Sequence, residues 1–291
     1  MNMNKKYVPV FLISFFLVLY AFRLMDSFLL RTDQGPIGEL FTHKIIGIAL
    51  LIAVVLFLRL KWADVGFKWN LFGRGILIGI VIAAPAYITA YVVEIIIAAL
   101  QGKSPTLQFY VSSYNITGNT ALSGGLLIVL VSIIGNIINV TMENSIFSGV
   151  MISVAEKRHS FFIANAFYSS FLFGLWHSMM PLRNYIDGEQ SLTGAVLSAL
   201  LLLGSSFLFS VQLGMQFKQA NSSLWDGMVV HFINNASVNL FHVVYANGTD
   251  SNPTMRIAIA QTIMFIVVAV RWFMWKKQQT KSVIQEAEGC S

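Results

Sequence analysis

Four polar side chains in this sequence, Glu143, His177, His231 and Asn235, are suited to hydrolytic chemistry. A carboxylate and an imidazole on either side of a water molecule can act together as a general base. A second imidazole and a carboxamide, one helical turn apart, can donate hydrogen bonds to a developing oxyanion. This set of groups is suited to the attack of water on an amide bond.

The same residue types also allow a catalytic zinc site, since two histidines and a glutamate are plausible zinc ligands. The sequence contains no HExxH segment, however, and a carboxamide stands at Asn235, where a second ligand four residues after His231 would be expected. We therefore expect no cofactor. If a metal binds, the ligands predicted for it are Glu143, His177 and His231.

Helical spacing predicts that these side chains share two polar faces. Asn136, Asn139 and Glu143 follow an i, i+3, i+7 pattern, which is one face of a helix. A second face is formed at i, i+4, i+8 and i+11 by His231, Asn235, Asn239 and His242. Two such stripes and His177, on separate helices, can meet in one buried pocket.

The composition places this pocket inside a membrane. Apolar residues make up 56% of the chain and charged residues 11%, against about 25% charged in soluble proteins. The mean hydropathy is +0.70, which excludes a soluble globular enzyme, and the single cysteine, Cys290, excludes a disulfide scaffold. Because ionisable groups at bilayer depth are costly, each one there is a functional hypothesis. For Glu94 and His242, near the ends of their segments, we favour a structural role.

The predicted fold class is all-α: one polytopic membrane domain over residues 1–291, with about eight transmembrane helices. The buried polar site is expected between the fourth, fifth and seventh helices. The predicted spans are Tyr7–Phe22, Ile45–Leu60, Gly75–Leu100, Leu126–Val154, Phe161–Met180, Gly194–Gln212, Leu224–Tyr245 and Ile257–Trp275.

The distribution of positive charge predicts the orientation. With eight spans, all but six of the 19 Lys and Arg residues fall on the side that holds both termini. The other six are Arg23, Arg31, Lys44, Lys103, Arg183 and Arg256. The positive-inside rule therefore puts both termini in the cytoplasm. The basic excess is explained by topology, so we expect no nucleic-acid partner; the expected partners are the lipid bilayer and a peptide or membrane-protein substrate.

Three short motifs resemble those of the CPBP family, the CAAX-protease and bacteriocin-processing (Abi) intramembrane endopeptidases. The family's E-E-x-x-x-R motif is similar to Glu143–Gly149, its F-x-x-x-H motif to Phe173–His177, and its H-x-x-x-N motif to His231–Asn235. The loop Asp64–Lys68 is similar to a short glycine-containing loop of the family. The resemblance places a catalytic core over residues 120–245.

The resemblance implies a glutamate-dependent intramembrane endopeptidase. It assigns water activation to Glu143 and His177 and oxyanion stabilisation to His231 and Asn235. Two positions depart from the motif, since Asn144 replaces a glutamate and Ser148 an arginine. Losing both partners of a buried ion pair costs far less than losing one, so we interpret the paired change as a tolerated exchange.

Other functions stay open at this point. The two departures favour a non-catalytic membrane partner in regulation or bacteriocin self-immunity. A transporter with a Glu–His proton relay is less favoured, because no pair of Gly- or Pro-broken helices is evident. Prenylated CAAX proteins, bacteriocin precursors and signal-peptide precursors are all candidate substrates, and a bacterial plasma membrane is favoured over the endoplasmic reticulum.

Overall fold

The computed structural model describes residues 4–34, 41–111, 125–245, 250 and 252–289. Cys290 and the second half of the loop after Leu100 lie outside these ranges. Of the described residues, 81% are helical, which confirms the all-α class. In chain order, the helices begin with α1 (Val8–Leu24), α2 (Thr42–Phe57), α3 (Phe72–Leu100) and α4 (Gly125–Asn144). They continue with α5 (Phe161–Ile163, the π-helical segment Ala164–Phe171 and Leu172–His177), α6 (Met180–Ile186), α7 (Leu192–Gln219), α8 (Trp225–Leu240) and α9 (Pro253–Gly289). Helix α1 is continued by the π-helical segment Met25–Leu30, and α4 by the π-helical segment Ser145–Met151 and by Ile152–Ala155.

Five continuous helical stretches in the described ranges are long and apolar enough to cross a membrane. They are Lys5–Leu30, Trp69–Leu100, Gly125–Ala155, Leu192–Gln219 and Pro253–Ser282. The chain is thus an integral membrane protein, as predicted. Three of the eight predicted spans correspond to the shorter helices α2, α5 and α8, so the count of eight stays a prediction.

The predicted seventh span is too long at its carboxyl end. Helix α8 stops at Leu240, and the chain continues as strand β2 (Phe241–Val244), which pairs antiparallel with strand β1 (Thr106–Phe109). The Phe-His-Val-Val sequence of β2 is rich in the aromatic and β-branched types that favour strands. His242 therefore lies opposite Gln108 in a two-stranded sheet, and not on the polar face of the helix.

Helices α3 and α8 approach each other closely along a glycine seam. A Cβ atom at Gly79 would lie 2.6 Å from the Cβ of Val229, so only glycine allows this separation. Small side chains, among them Ala83 and Ala86, continue the buried face of α3. Small residues let membrane helices pack at short distance, and this seam holds α8, which carries His231, against α3.

The loop Asp64–Lys68 contacts the amino-terminal end of α8. Gly66 has φ +101°, a conformation that favours glycine. Its carbonyl accepts a hydrogen bond of 3.0 Å from the backbone N–H of Leu224. The preceding carbonyl, of Val65, lies against Gly149 of the π-helical segment that follows α4. This loop therefore joins α8 to α4, and these two helices carry Glu143 and His231.

Candidate active site

The structure brings Glu143, His177 and His231 together from α4, α5 and α8. The Glu143 side chain is 2% exposed. Its Oε2 atom lies 3.6 Å from Nε2 of His231, and its Oε1 atom lies 3.9 Å from Nε2 of His177. One buried carboxylate thus faces two imidazoles across gaps slightly longer than a hydrogen bond.

The second nitrogen of each imidazole faces an oxygen. Nδ1 of His177 is 3.0 Å from the carbonyl of Phe173, and Nδ1 of His231 is 2.7 Å from Oδ1 of Asn144. Carbonyl oxygens only accept hydrogen bonds, so this pairing assigns the proton of each neutral ring to Nδ1. Both rings then present an Nε2 lone pair to Glu143.

Helix geometry explains the spacing of the F-x-x-x-H motif. The carbonyl that orients His177 belongs to the residue four positions earlier, Phe173, which an α-helix places directly beneath the ring. The Phe173 ring centre is also 4.4 Å from that of His177 and 6.0 Å from that of His231. The phenylalanine therefore orients one histidine and forms an apolar wall against both.

Asn235 lies one turn beyond His231 and is half-buried. Its Nδ2 donates a hydrogen bond of 3.1 Å to Oδ1 of Asn136, whose own Nδ2 donates to the Phe232 carbonyl at 3.0 Å. The predicted face of α4 therefore meets α8 here. The described hydrogen bonds of Asn235 do not join it to Glu143, His177 or His231.

Two residues of the site, Arg23 and Trp176, were missed by the sequence analysis. Trp176 Nε1 donates a hydrogen bond of 2.9 Å to Oε1 of Glu143. Nη1 of Arg23 is 3.8 Å from the same oxygen, and its guanidinium lies 4.4 Å from the centre of the Trp176 ring. The predicted first span, which ends at Phe22, is too short: the helical stretch continues through Leu30, so Arg23 lies within it and is 7% exposed. A single arginine inside a long apolar helix was the available signal.

The two departures from the family motif occupy different surroundings. Asn144 is buried and bonded to His231, whereas Ser148 is buried within the π-helical segment after α4. A guanidinium is nevertheless present at Glu143, because α1 supplies Arg23. The family motif has an arginine at the position of Ser148. Here a guanidinium lies near Glu143 from another helix, as Arg23 of α1.

No group of three or more His, Cys, Asp or Glu side chains in the described ranges is arranged to hold a metal ion. Where a zinc ion would have to approach Glu143, His177 and His231, the guanidinium of Arg23 already provides positive charge. The absence of a cofactor stays a prediction.

A second buried charge cluster lies away from this site, where β2 and α9 meet α3. Arg256, which is 0% exposed, contacts Oε2 of Glu94 at 2.8 Å and Oδ2 of Asp250 at 2.7 Å. Nδ1 of His242 is 2.9 Å from Oδ2 of Asp250, and its ring stacks on Tyr110. Burial raises the pKa of Asp250, but the hydrogen bonds from His242 and Arg256 outweigh it and hold the pKa below its ordinary value. Glu94 and His242 thus connect separate segments of the chain.

Comparison with known proteins gives one match to a family model. Residues 125–237 match the family model described as type II CAAX prenyl endopeptidase Rce1-like. The match covers less than half of the 291 residues, but it contains all four predicted site residues. The match supports the resemblance to the CAAX-protease family, and it implies a membrane peptidase at the level of the matched family. No curated protein and no solved structure matches the chain.

Proposed function

We propose that this protein is an intramembrane endopeptidase of CPBP type, in which Glu143 and His177 activate water and His231 and Asn235 stabilise the oxyanion. The observation that carries the proposal is the single buried carboxylate with two imidazole Nε2 atoms at 3.6 and 3.9 Å. At these distances the carboxylate and the imidazoles make no direct hydrogen bond to one another, so each can bind a water instead. The family match supports the reaction class.

The exposure of the two histidines supports their separate roles. The His177 side chain is 27% exposed and the His231 side chain 3%, so substrate and water approach from the side of His177. Glu143 and His177 take the proton of the attacking water and return it to the leaving amine. His231 can donate to the oxyanion only when Nε2 is also protonated; Glu143 and the Asn144 oxygen both stabilise that imidazolium.

We further propose eight crossings, with α2, α5 and α8 as the three short ones, and both termini in the cytoplasm of a bacterium. The substrate class is a peptide or a membrane-protein segment that reaches the site from the cytoplasm or between helices. The name of the matched family makes a prenylated CAAX tail the first candidate.

The test is comparative peptidomics of membranes that contain the wild type or Glu143→Gln at equal levels. We expect a set of peptide termini that disappears in Glu143→Gln, because the amide cannot accept the proton of water. Glu156→Gln is the matched control, since Glu156 pairs with Lys218 away from the site. Termini that persist in Glu143→Gln would exclude the mechanism.

The departures at Asn144 and Ser148 favour a second candidate, a non-catalytic partner that binds a peptide or another membrane protein. The same experiment separates the two. A biological effect that survives in Glu143→Gln and in His177→Ala, with no terminus that depends on either residue, would establish the binding role.

A further inference from the structure

Three hydrogen-bonded carboxamides, those of Asn136, Asn235 and Asn234, form a row that starts on α4 and crosses α8. Nδ2 of Asn136 donates to the Phe232 carbonyl at 3.0 Å. Nδ2 of Asn235 donates to Oδ1 of Asn136, and Nδ2 of Asn234 donates to Oδ1 of Asn235, both at 3.1 Å. The predicted oxyanion donor Asn235 thus stands in the middle of this amide row.

Two donors from other helices close the outer end of the amide row. Oδ1 of Asn234 accepts a hydrogen bond of 2.7 Å from the hydroxyl of Tyr87, on α3, and one of 3.2 Å from Nε2 of Gln261, on α9. Tyr87 is 3% exposed, and a buried hydroxyl needs a hydrogen-bond partner. These contacts keep the oxygen of Asn234 on the outer side and its nitrogen toward Asn235.

One backbone carbonyl sets the orientation of every amide in the row. A carboxamide can be turned over so that its oxygen and nitrogen change places, whereas a backbone carbonyl only accepts hydrogen bonds. The Phe232 carbonyl therefore requires the nitrogen of Asn136, whose oxygen then faces Asn235. That oxygen requires the nitrogen of Asn235, and the oxygen of Asn235 requires the nitrogen of Asn234. The amide row therefore has one favourable direction.

The direction of the row decides which atom Asn235 presents to α4, the helix that carries Glu143. It presents Nδ2, which has two hydrogens, and Asn136 accepts one of them. The second N–H can donate to an oxyanion, as the proposed role of Asn235 requires. In the opposite direction Asn235 would present Oδ1, and this oxygen would repel an oxyanion.

We propose that the neighbours of Asn235 in this network are positioning residues, which hold its Nδ2 group toward the reacting carbonyl. They are Asn136, Asn234, Tyr87 and Gln261. The proposal rests on the proposed function, because it concerns the oxyanion donor of that reaction. Two of the four, Tyr87 and Gln261, lie outside the matched residues 125–237. Oxyanion stabilisation therefore also depends on α3 and α9, which carry none of the predicted site residues.

The test measures kcat and KM of full-length variants in detergent, on an internally quenched peptide that copies a Glu143-dependent cleavage site found by peptidomics. Asn235→Ala should lower kcat about 10²-fold, and Asn234→Leu about tenfold. KM should stay unchanged, because the oxyanion forms only after water attacks. Adding Asn234→Leu to Asn235→Ala should lower kcat no further, since Asn234 acts through Asn235.

A milder variant, Tyr87→Phe, removes a single oxygen and keeps the ring. We expect kcat to fall about fivefold, the effect of one hydrogen bond. Tyr91→Phe is the matched control one turn later on α3, because its hydroxyl donates to the carbonyls of Ser237 and Phe241 and not to the amide row. It should leave kcat unchanged.

Wild-type kcat in both Asn234→Leu and Tyr87→Phe would overturn the proposal, and so would full activity of Asn235→Ala. A raised KM at unchanged kcat, or an Asn234→Leu loss that is just as large in Asn235→Ala, would also overturn it. Each of these results rejects the amide row alone and leaves the peptidase intact. If no terminus depends on Glu143, the peptidase is rejected, and the proposed role of the amide row with it.

Discussion

Arg23 lies in contact distance of both Glu143 and Trp176, within a helix that the family match does not include. The indole holds one carboxylate oxygen through a hydrogen bond, and the guanidinium lies over the indole. A buried carboxylate needs a compensating charge or hydrogen bonds. The position of Glu143 therefore depends on α1 as well as on its own motif.

Replacing Arg23 by Gln should lower the cleavage rate at least tenfold, because the cation beside Glu143 is lost. Removal of one partner of a buried ion pair should also lower the free energy of unfolding, by about 3 kcal/mol. Arg23→Lys keeps the charge and should retain more activity. Rates measured with matched amounts of each variant check this, and a fully active Arg23→Gln would contradict it.

Asn144 and Ser148, the two departures from the motif, should respond differently to substitution. Asn144→Leu removes the acceptor that orients His231, and loss of an oriented oxyanion donor lowers rates by about 10²–10³. Ser148→Ala should leave the rate nearly unchanged, because no contact joins Ser148 to Glu143 among the described side chains. Equal losses of cleavage rate in the two variants would show that the hydrogen bond between His231 and Asn144 does not account for the effect.

At the scale of the elements, π-helical segments border the site on three helices. A π-turn contains an extra residue and changes the angular position of the side chains after it, and such turns are frequent at functional sites. The segments are Met25–Leu30 after Arg23, Ser145–Met151 after Glu143, and Ala164–Phe171 before His177. Helical periodicity counted from the sequence does not include these extra residues.

The glycine seam between α3 and α8 provides a test at this scale. Gly79→Ala would place a methyl group against Val229 and the Asp226 carbonyl, and overpacking of this kind costs about 1–3 kcal/mol. We expect a lower melting temperature and a lower cleavage rate, since α8 carries His231.

Gly73→Ala is the matched control, because nothing lies within 4 Å of a Cβ atom at Gly73 on the same helix. It should be neutral or slightly stabilising, as alanine favours a helix over glycine. If thermal unfolding in detergent gives equal melting temperatures for the two variants, the packing argument is wrong.

At the scale of the whole molecule, the cluster of Glu94, Arg256, Asp250 and His242 joins α3, α9 and the strand after α8. Arg256→Gln should destabilise the protein by about 3–5 kcal/mol, because it leaves buried carboxylates uncompensated. Glu94→Gln added to Arg256→Gln should restore part of the loss. Thermal unfolding in detergent measures both, and a double variant less stable than the single one would contradict this account.

The same cluster predicts sensitivity to acid. The pKa of Asp250 is below its ordinary value of 3.8 in the folded protein. Its contribution to stability is therefore complete above the unfolded-state pKa and is lost as the pH falls through the lower folded-state pKa. The melting temperature should fall more between pH 5 and about pH 3 in the wild type than in Asp250→Asn. Parallel curves for the two proteins would exclude Asp250 as the group responsible.

The sequence alone determined the membrane class and the helical fold, and it assigned Glu143 and His231 to the polar faces of their helices, because apolar runs and helical spacing are local properties of the chain. Asn136 could also be assigned to the polar face of α4 from its spacing. The helix boundaries were predicted less accurately where local helix propensity competes with pairing to another strand. At Phe241, for example, a strand replaces the predicted end of the helix.

Only the tertiary structure placed Arg23 beside Glu143, paired Glu94 with Arg256, and joined Tyr87 to Asn234. Each of these depends on which helices are neighbours. Neighbouring helices are selected by the fit of side chains far apart in the chain, such as the glycine seam against Val229. That fit has no period along the sequence, so spacing cannot predict it.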